Sequence, residues 1–80
     1  MRILVLNWLD SENPQAGGAE LHLTEVFSRI VARGHTVDLL CSSWLNAASR
    51  ANLAGIEVHR VGTRHTYPFL AHRYYDENLL

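Results

Sequence analysis

The stretch Ile3-Leu4-Val5-Leu6-Asn7-Trp8 decides how the rest of the chain is interpreted, because it is apolar at nearly every position. A short run of this kind is typical of a strand that is covered on both faces, as in a parallel sheet. It is too short for a signal peptide or for a membrane span, which needs about 20 apolar residues. The sequence therefore predicts that the chain begins with a buried strand.

One helix and two further strands are predicted downstream. Apolar residues recur at spacings of three and four after Gly18, which indicates an amphipathic helix that ends at Gly34. Thr36–Cys41 forms the second predicted strand, and Ile56–Val61 the third, nearer to an edge of the sheet. The apolar stripe of the helix comprises Ala19, Leu23, Val26, Phe27, Ile30 and Val31.

The remaining segments are predicted to be helical. Residues 45–53 have weak helical character, and residues 69–80 follow Pro68, which suits the first turn of a helix. The resulting order, β-α-β-α-β-α, predicts an α/β fold with a doubly wound parallel sheet in the strand order 3-2-1. Because no fourth strand follows, we expect an incomplete sheet whose first strand has an unpaired edge, and hence a chain that self-associates or is otherwise unstable.

Composition excludes several classes of protein. The chain has 80 residues, of which 48% are hydrophobic, so it suits one small globular domain and not a disordered segment. Its formal net charge of −1 gives no basis for binding nucleic acid or an anionic membrane surface. The only cysteine, Cys41, rules out an internal disulfide and suits a reducing compartment, which predicts a cytoplasmic protein without a transmembrane segment.

The junction between the first strand and the first helix carries the strongest chemical signal, Gly17-Gly18-Ala19-Glu20. Two glycines permit positive φ angles and let backbone N–H groups approach a ligand closely. The start of a helix favours an anion, typically a phosphate. Gly17, Gly18 and Ala19 are therefore candidate phosphate-binding residues, and the alternative is a glycine turn required only for packing. Asp10 and Glu20 are candidates for contacts with substrate.

Other chemistries are not supported by the sequence. The loop is not GxGxxG, and no acidic residue ends the second strand, which argues against dinucleotide binding. The five histidines share no ligand spacing, so we expect neither a metal site nor a cofactor. Cys41 fits a buried strand position better than a nucleophile. A polar cleft and a solvated surface explain four further polar residues equally well, namely Arg64, His65, Arg73 and Tyr74.

Several motifs together resemble one known family. They are Asn7-Trp8, Ala16-Gly17-Gly18-Ala19-Glu20, Arg33-Gly34-His35-Thr36-Val37 and Gly55-Ile56-Glu57-Val58-His59-Arg60. With this combination and spacing, the chain resembles the amino-terminal part of a family-4 retaining glycosyltransferase with the GT-B fold. The resemblance covers essentially the whole chain but only the beginning of such an enzyme.

The resemblance implies that two domains of the full enzyme bind different substrates. In that family two Rossmann-like domains face each other across a cleft; the carboxyl-terminal domain holds most of the nucleotide-sugar donor, and the amino-terminal domain holds the acceptor. Residues 1–80 would then be an incomplete, Rossmann-like, acceptor-side domain, with the donor domain absent from this chain. The loop at Gly17 and Gly18 would approach the donor diphosphate, and no metal would be required.

The same resemblance assigns no catalytic residue to this chain. The family's EX7E motif, its phosphate-binding Arg/Lys pair and its histidine have no counterparts here, so we expect residues 1–80 alone to be inactive. The full enzyme would transfer a sugar with retention and would be cytoplasmic or attached to a membrane surface. The alternative is a non-catalytic half-Rossmann module for binding or assembly. The donor, its nucleotide and the acceptor are not specified by these residues.

Overall fold

A four-stranded mixed sheet with a helix on each face forms the fold. The computed structural model describes residues 1–63 and 65–79. The sheet order is β1-β2-β4-β3; the first three strands of this order are parallel, and β3 is antiparallel to β4. The elements are β1 (Arg2–Leu6), α1 (Gly18–Ala32), β2 (Thr36–Ser42), β3 (Arg50–Leu53), β4 (Ile56–Val61), α2 (Tyr67–Tyr74) and a π-helical turn (Tyr75–Leu79).

Strand β2 lies at the centre of the core, and all of its residues from Val37 to Ser42 are buried. Alternate side chains of a strand point to opposite faces of the sheet. Leu39 and its neighbours on the same face pack under α1, whereas Leu40 packs under α2. A strand covered on both faces explains why Thr36–Cys41 has no regular polar alternation. The three predicted strands also have the predicted relative order, with β2 between β1 and β4.

The predicted helix stripe is confirmed in part. Four of its members, Leu23, Phe27, Ile30 and Val31, pack against the core under α1. Ala19 and Val26 are exposed instead, and no residue of α1 is fully buried. Ala19 lies in the first turn, beside the exposed Gly17 and Gly18, so it does not reach the core. Helix α2 begins at Tyr67 with Pro68 in its first turn, near the predicted start, but it ends at Tyr74 and a π-helical turn follows in place of the predicted continuation of the helix.

The predicted helix over residues 45–53 is wrong, because Arg50–Leu53 forms strand β3. Ala51 and Leu53 face the core, whereas Arg50 and Asn52 are exposed, which is the alternation of a strand. The side chain of Asn52 also bonds to Glu57 of β4 at 3.0 Å. The wholly parallel, Rossmann-like sheet is therefore not confirmed, and β4 lies inside the sheet with β3 at the edge.

The turn of this hairpin is formed by Ala54 and Gly55, both with positive φ angles, 54° and 87°. The N–H of Gly55 donates to the side-chain oxygen of Asn52 at 3.0 Å. Two-residue hairpin turns with positive φ at both positions favour Asn-Gly and disfavour alanine at the first. This atypical alanine removes the usual sequence signal of the hairpin.

Strand β1 lies at an edge of the sheet and pairs with β2 alone. The prediction of a buried first strand is wrong, because β1 lies at the edge: none of its residues is buried, and Leu4 and Leu6 are 37% and 64% exposed. Beside them lies an apolar groove of about 580 Å³ that is bordered on its other side by residues of α2, including Tyr67 and Ala71. The unpaired edge agrees with the expected exposure of β1, and self-association through it stays a prediction. No helix in the described part of the chain is long and apolar enough to cross a membrane.

The two turn residues should respond oppositely to a small substitution. Ala54→Gly should raise the free energy of unfolding by about 0.5–1 kcal/mol, because glycine adopts positive φ without the alanine penalty. Gly55→Ala should lower it by about 1–2 kcal/mol, and its new Cβ would lie 2.8 Å from Cγ1 of Val31. Urea unfolding of both variants measures the effect. Equal changes of the same sign would contradict this account of the hairpin.

Candidate functional site

The carboxyl ends of β1, β2 and β4 lead into three loops, whose described residues are 7–17 after β1, 43–49 after β2, and 62, 63, 65 and 66 after β4. Carboxyl ends of parallel strands meet at one edge of the sheet, where open α/β folds bind their ligands. A cleft of about 630 Å³ lies between these loops, and we call it the loop cleft. Its lining includes Leu9, Asn13, Ser43, Trp44, Asn46 and Thr63.

A buried ion pair lies beneath the loops. The Nε of Arg60 donates to Oδ2 of Asp10 at 2.8 Å, and its Nη2 lies 3.3 Å from Oδ1 of the same carboxylate. Both side chains are at most 3% exposed. Burying an isolated charge is costly, but paired and fully hydrogen-bonded charges can be accommodated. The pair connects the end of β4 to the loop that follows β1.

Arg60 also contacts the other loops. Its Nη2 donates to Glu12 at 2.8 Å and its Nη1 to the carbonyl oxygen of Ala48 at 3.1 Å. Its guanidinium carbon lies 4.5 Å from the centre of the Trp44 ring, a cation–π distance. Burial alone would lower the pKa of Arg60, but the hydrogen bonds from its guanidinium to Asp10 and Glu12 raise the pKa above its ordinary value. Arg60 therefore stays charged and holds two loops on the end of β4.

The thiol of Cys41 completes this cluster. Burial and the nearby Asp10 carboxylate raise the pKa of Cys41 far above its ordinary value. The protonated sulfur lies 3.4 Å from Oδ2 of Asp10 and acts as a donor to it. This geometry supports the interpretation of Cys41 as a buried strand residue, because a nucleophilic cysteine requires a thiolate.

A second buried polar chain lies on the opposite face of the sheet. The Nε2 of His59 is 2.9 Å from Oδ1 of Asp38, and its Nδ1 is 2.8 Å from the hydroxyl of Tyr74. An ionised carboxylate only accepts, so Nε2 carries the proton, and in neutral His59 the hydroxyl of Tyr74 donates to Nδ1. Arg2 donates to the other oxygen of Asp38 at 3.0 Å. This chain links β1, β2, β4 and α2.

The two glycines of the candidate phosphate loop have ordinary backbone conformations. Gly17 precedes α1 with φ −125° and ψ −163°, an extended conformation open to any residue, and Gly18 begins the helix. Neither glycine therefore adopts the positive φ angle that the sequence permits at these positions. A Cβ at Gly18 would meet nothing within 4 Å, and one at Gly17 only an oxygen of Glu20 at 3.9 Å. Packing within the described chain thus requires neither glycine.

The two candidates for substrate contacts are both engaged. Asp10 is enclosed by Arg60, Cys41 and the N–H of Glu12, which donates to it at 2.8 Å. A sugar hydroxyl would have to displace one of these donors. The carboxylate of Glu20 accepts from the N–H of Gly17 at 3.2 Å, which satisfies one donor at the start of α1. Beside Glu20 lies an open depression of about 400 Å³ that Trp8, Leu9 and His65 also border.

Sequence reasoning missed the roles of Arg60 and His59. A period of two from Ile56 and Val58 places position 60 on the face covered by α1, where an arginine needs a buried acidic partner. Asp10, in the loop that follows β1, is that partner. Periodicity thus places Arg60 on this face of the sheet, but it does not assign Asp10 as its partner. Of the other residues considered for a polar cleft, Arg64 lies outside the described residues, and His65 and Arg73 are exposed.

Comparisons with known proteins identify no relative of this chain. The chain matches no family model, no curated protein and no solved structure. Within residues 1–63 and 65–79, no three His, Cys, Asp or Glu side chains are grouped as a metal site requires. The function of the chain must therefore be argued from the geometry of its loops.

The stability of the protein should depend on the ionisation of Asp38. Burial alone would raise the pKa of Asp38, but the hydrogen bonds from His59 and Arg2 outweigh it, so the pKa lies below its ordinary value. The contribution of a carboxylate with a lowered pKa is present above the unfolded pKa, about 3.9, and is lost as the pH falls through the folded value. Asp38→Asn should therefore cost about 2 kcal/mol at pH 7 and less below pH about 4.

Urea unfolding of the parent protein and of Asp38→Asn from pH 7 to pH about 2 measures this difference. All other carboxylates are present in both proteins, so the difference reports on Asp38 and its partners. A difference in unfolding free energy that stays constant with pH would show that the Asp38 charge contributes nothing.

Proposed function

We propose that this chain forms the acceptor-side wall of the cleft of a retaining glycosyltransferase, with the start of α1 at the diphosphate of a nucleotide-sugar donor. One observation supports the proposal most directly: Gly17 and Gly18 have no conformational or packing reason to be glycine within the described chain. A requirement that lies outside the chain, namely close approach of a ligand to the backbone, accounts for both.

The start of α1 has the chemistry that such a ligand requires. The first hydrogen bond of the helix runs from the N–H of Leu21 to the carbonyl oxygen of Gly17. The N–H groups of Gly18, Ala19 and Glu20 come before it and therefore have no acceptor within the helix. These groups and the positive end of the helix dipole attract an anion. The open depression beside Glu20 provides access from solvent.

In this proposal the carboxylate of Glu20 occupies the anion position while the site is empty. It accepts from the N–H of Gly17, as one half of a capping box. An incoming diphosphate would compete with it for the same donor. Asp10 then acts indirectly, by holding residues 7–17 against Arg60, and contacts no substrate.

The proposal is tested by the response of the α1 start to inorganic pyrophosphate. In ¹⁵N-labelled protein, we expect saturable shifts of the amide signals of residues 17–20. Gly18→Val should weaken pyrophosphate binding at least tenfold, because the added side chain occupies the space that an anion would enter, while the melting temperature stays close to that of the parent. Glu20→Gln should strengthen it severalfold, because it removes a competing negative charge.

Ala32→Val provides the matched control, since it adds the same kind of bulk at an exposed position in the last turn of the same helix. Its binding should equal that of the parent protein. If pyrophosphate shifts no amide signal of residues 17–20, or if Gly18→Val binds as the parent does, the start of α1 is not an anion site and the assignment to glycosyl transfer loses its structural support.

A further inference from the structure

The loop cleft has a lining chemistry that differs from that of the α1 start. Its described lining residues carry no charge. Amide groups come from Asn13 and Asn46, a hydroxyl comes from Ser43, and apolar surface comes from Leu9 and the half-buried ring of Trp44. Its volume of about 630 Å³ lies within the range typical of small-molecule sites. Neutral polar groups beside an aromatic ring suit an uncharged ligand with several hydroxyl groups.

The position of Trp44 in this cleft is set by Arg60. The guanidinium lies 4.5 Å from the centre of the indole ring, while Asp10 and Glu12 neutralise its charge. The side chain of Arg60 is only 3% exposed, so it orients the wall without offering a positive charge to a ligand. The aromatic surface that Trp44 contributes to the cleft is therefore held in a defined place.

The loop that carries Trp44 also presents Asn46 at its tip. Asn46 is exposed and has a φ angle of 67°, a left-handed conformation that asparagine tolerates better than most residues. Asn13 lies across the cleft, is buried, and its side-chain oxygen accepts from the N–H of Gln15 at 2.9 Å. That bond occupies the amide oxygen of Asn13, so the N–H₂ group is the donor that this lining residue can offer to a ligand.

We propose that the loop cleft binds an uncharged, polyhydroxylated ring compound, a carbohydrate or cyclitol, with its apolar C–H face on Trp44 and its hydroxyls on Asn13 and Asn46. An aromatic ring matches the apolar face of such a compound, and the amides match its rim of donors and acceptors. Arg60 is a positioning residue for this site. Identifying this ligand with the acceptor of a sugar transfer rests on the proposed function; binding of the compound does not.

The test uses the 80-residue chain, ¹⁵N-labelled, with four uncharged probes: methyl α-glucopyranoside, N-acetylglucosamine, maltose and myo-inositol. At least one should produce saturable shifts at the indole N–H of Trp44 and in residues 43–47. Glucose 6-phosphate is the charged counterpart and should bind there no more tightly than methyl α-glucopyranoside. The site would be overturned if none of the four probes gave saturable shifts, or if glucose 6-phosphate bound there at least tenfold more tightly.

Variants separate the site from a general effect on folding. Trp44→Ala should abolish the shifts in residues 43–47, and Trp44→Phe should retain part of them. Asn46→Gly keeps the left-handed backbone and deletes only the exposed amide, so it should weaken binding severalfold with an unchanged melting temperature. Phe69→Leu, which alters an exposed aromatic side chain on α2 that does not line the loop cleft, is the control and should bind as the parent does.

The outcomes also separate this inference from the proposed function, because sugar is detected at residues 43–47 and pyrophosphate at residues 17–20. Sugar binding without pyrophosphate binding would support the carbohydrate site and remove the support for a donor diphosphate at α1. The reverse result would overturn the carbohydrate site alone. Sugar shifts that persisted in folded Asn46→Gly and Trp44→Phe at full strength would likewise contradict the assignment.

Discussion

The buried pair of Asp10 and Arg60 is the interaction on which the candidate site depends. Two charges are withdrawn from water at the carboxyl end of the sheet, and each finds hydrogen-bond partners there. Removing one member of such a pair costs about 3–5 kcal/mol, because the other charge is left buried and unpaired. The pair does not by itself make the protein more stable than apolar residues would. What it provides is a defined position for the loops after β1 and β2.

The two faces of the sheet are held by different means. Under α1, aliphatic and aromatic side chains form the larger core around Val37, Leu39 and Val58. Under α2, the buried apolar residues in the described part of the chain are Leu40, Tyr67 and Ala71, and hydrogen bonds supplement their packing. The hydroxyl of Tyr67 donates to the carbonyl of Leu40 at 2.7 Å, and Tyr74 bonds to His59. Since few apolar contacts hold α2, it is the element expected to open first.

The sequence predicted the parts of the fold that depend on local periodicity. The run at Ile3–Trp8, the stripe of α1 and the strands at Thr36–Cys41 and Ile56–Val61 all form near the expected residues. It failed at β3, where Ala54 stands in a turn position that usually carries asparagine or glycine. The candidate site, too, could be predicted only where local sequence features specify it. The start of α1 was identified from Gly17 and Gly18, but the partners of Asp10 depend on contacts across 50 residues of chain, which periodicity does not encode.

The Asp10–Arg60 pair orders the loops, whereas the sheet forms without it. Amide hydrogen exchange in the double variant Asp10→Leu/Arg60→Met tests this, because apolar replacement of both partners avoids an unpaired buried charge. The reporters are the amides of Ala16 and Ala47, which bond within the two loops to Asn13 and Trp44, with Leu39 and Val58 as reporters of the sheet. We predict faster exchange at Ala16 and Ala47 and unchanged protection at Leu39 and Val58. Unchanged protection at all four amides would contradict the account.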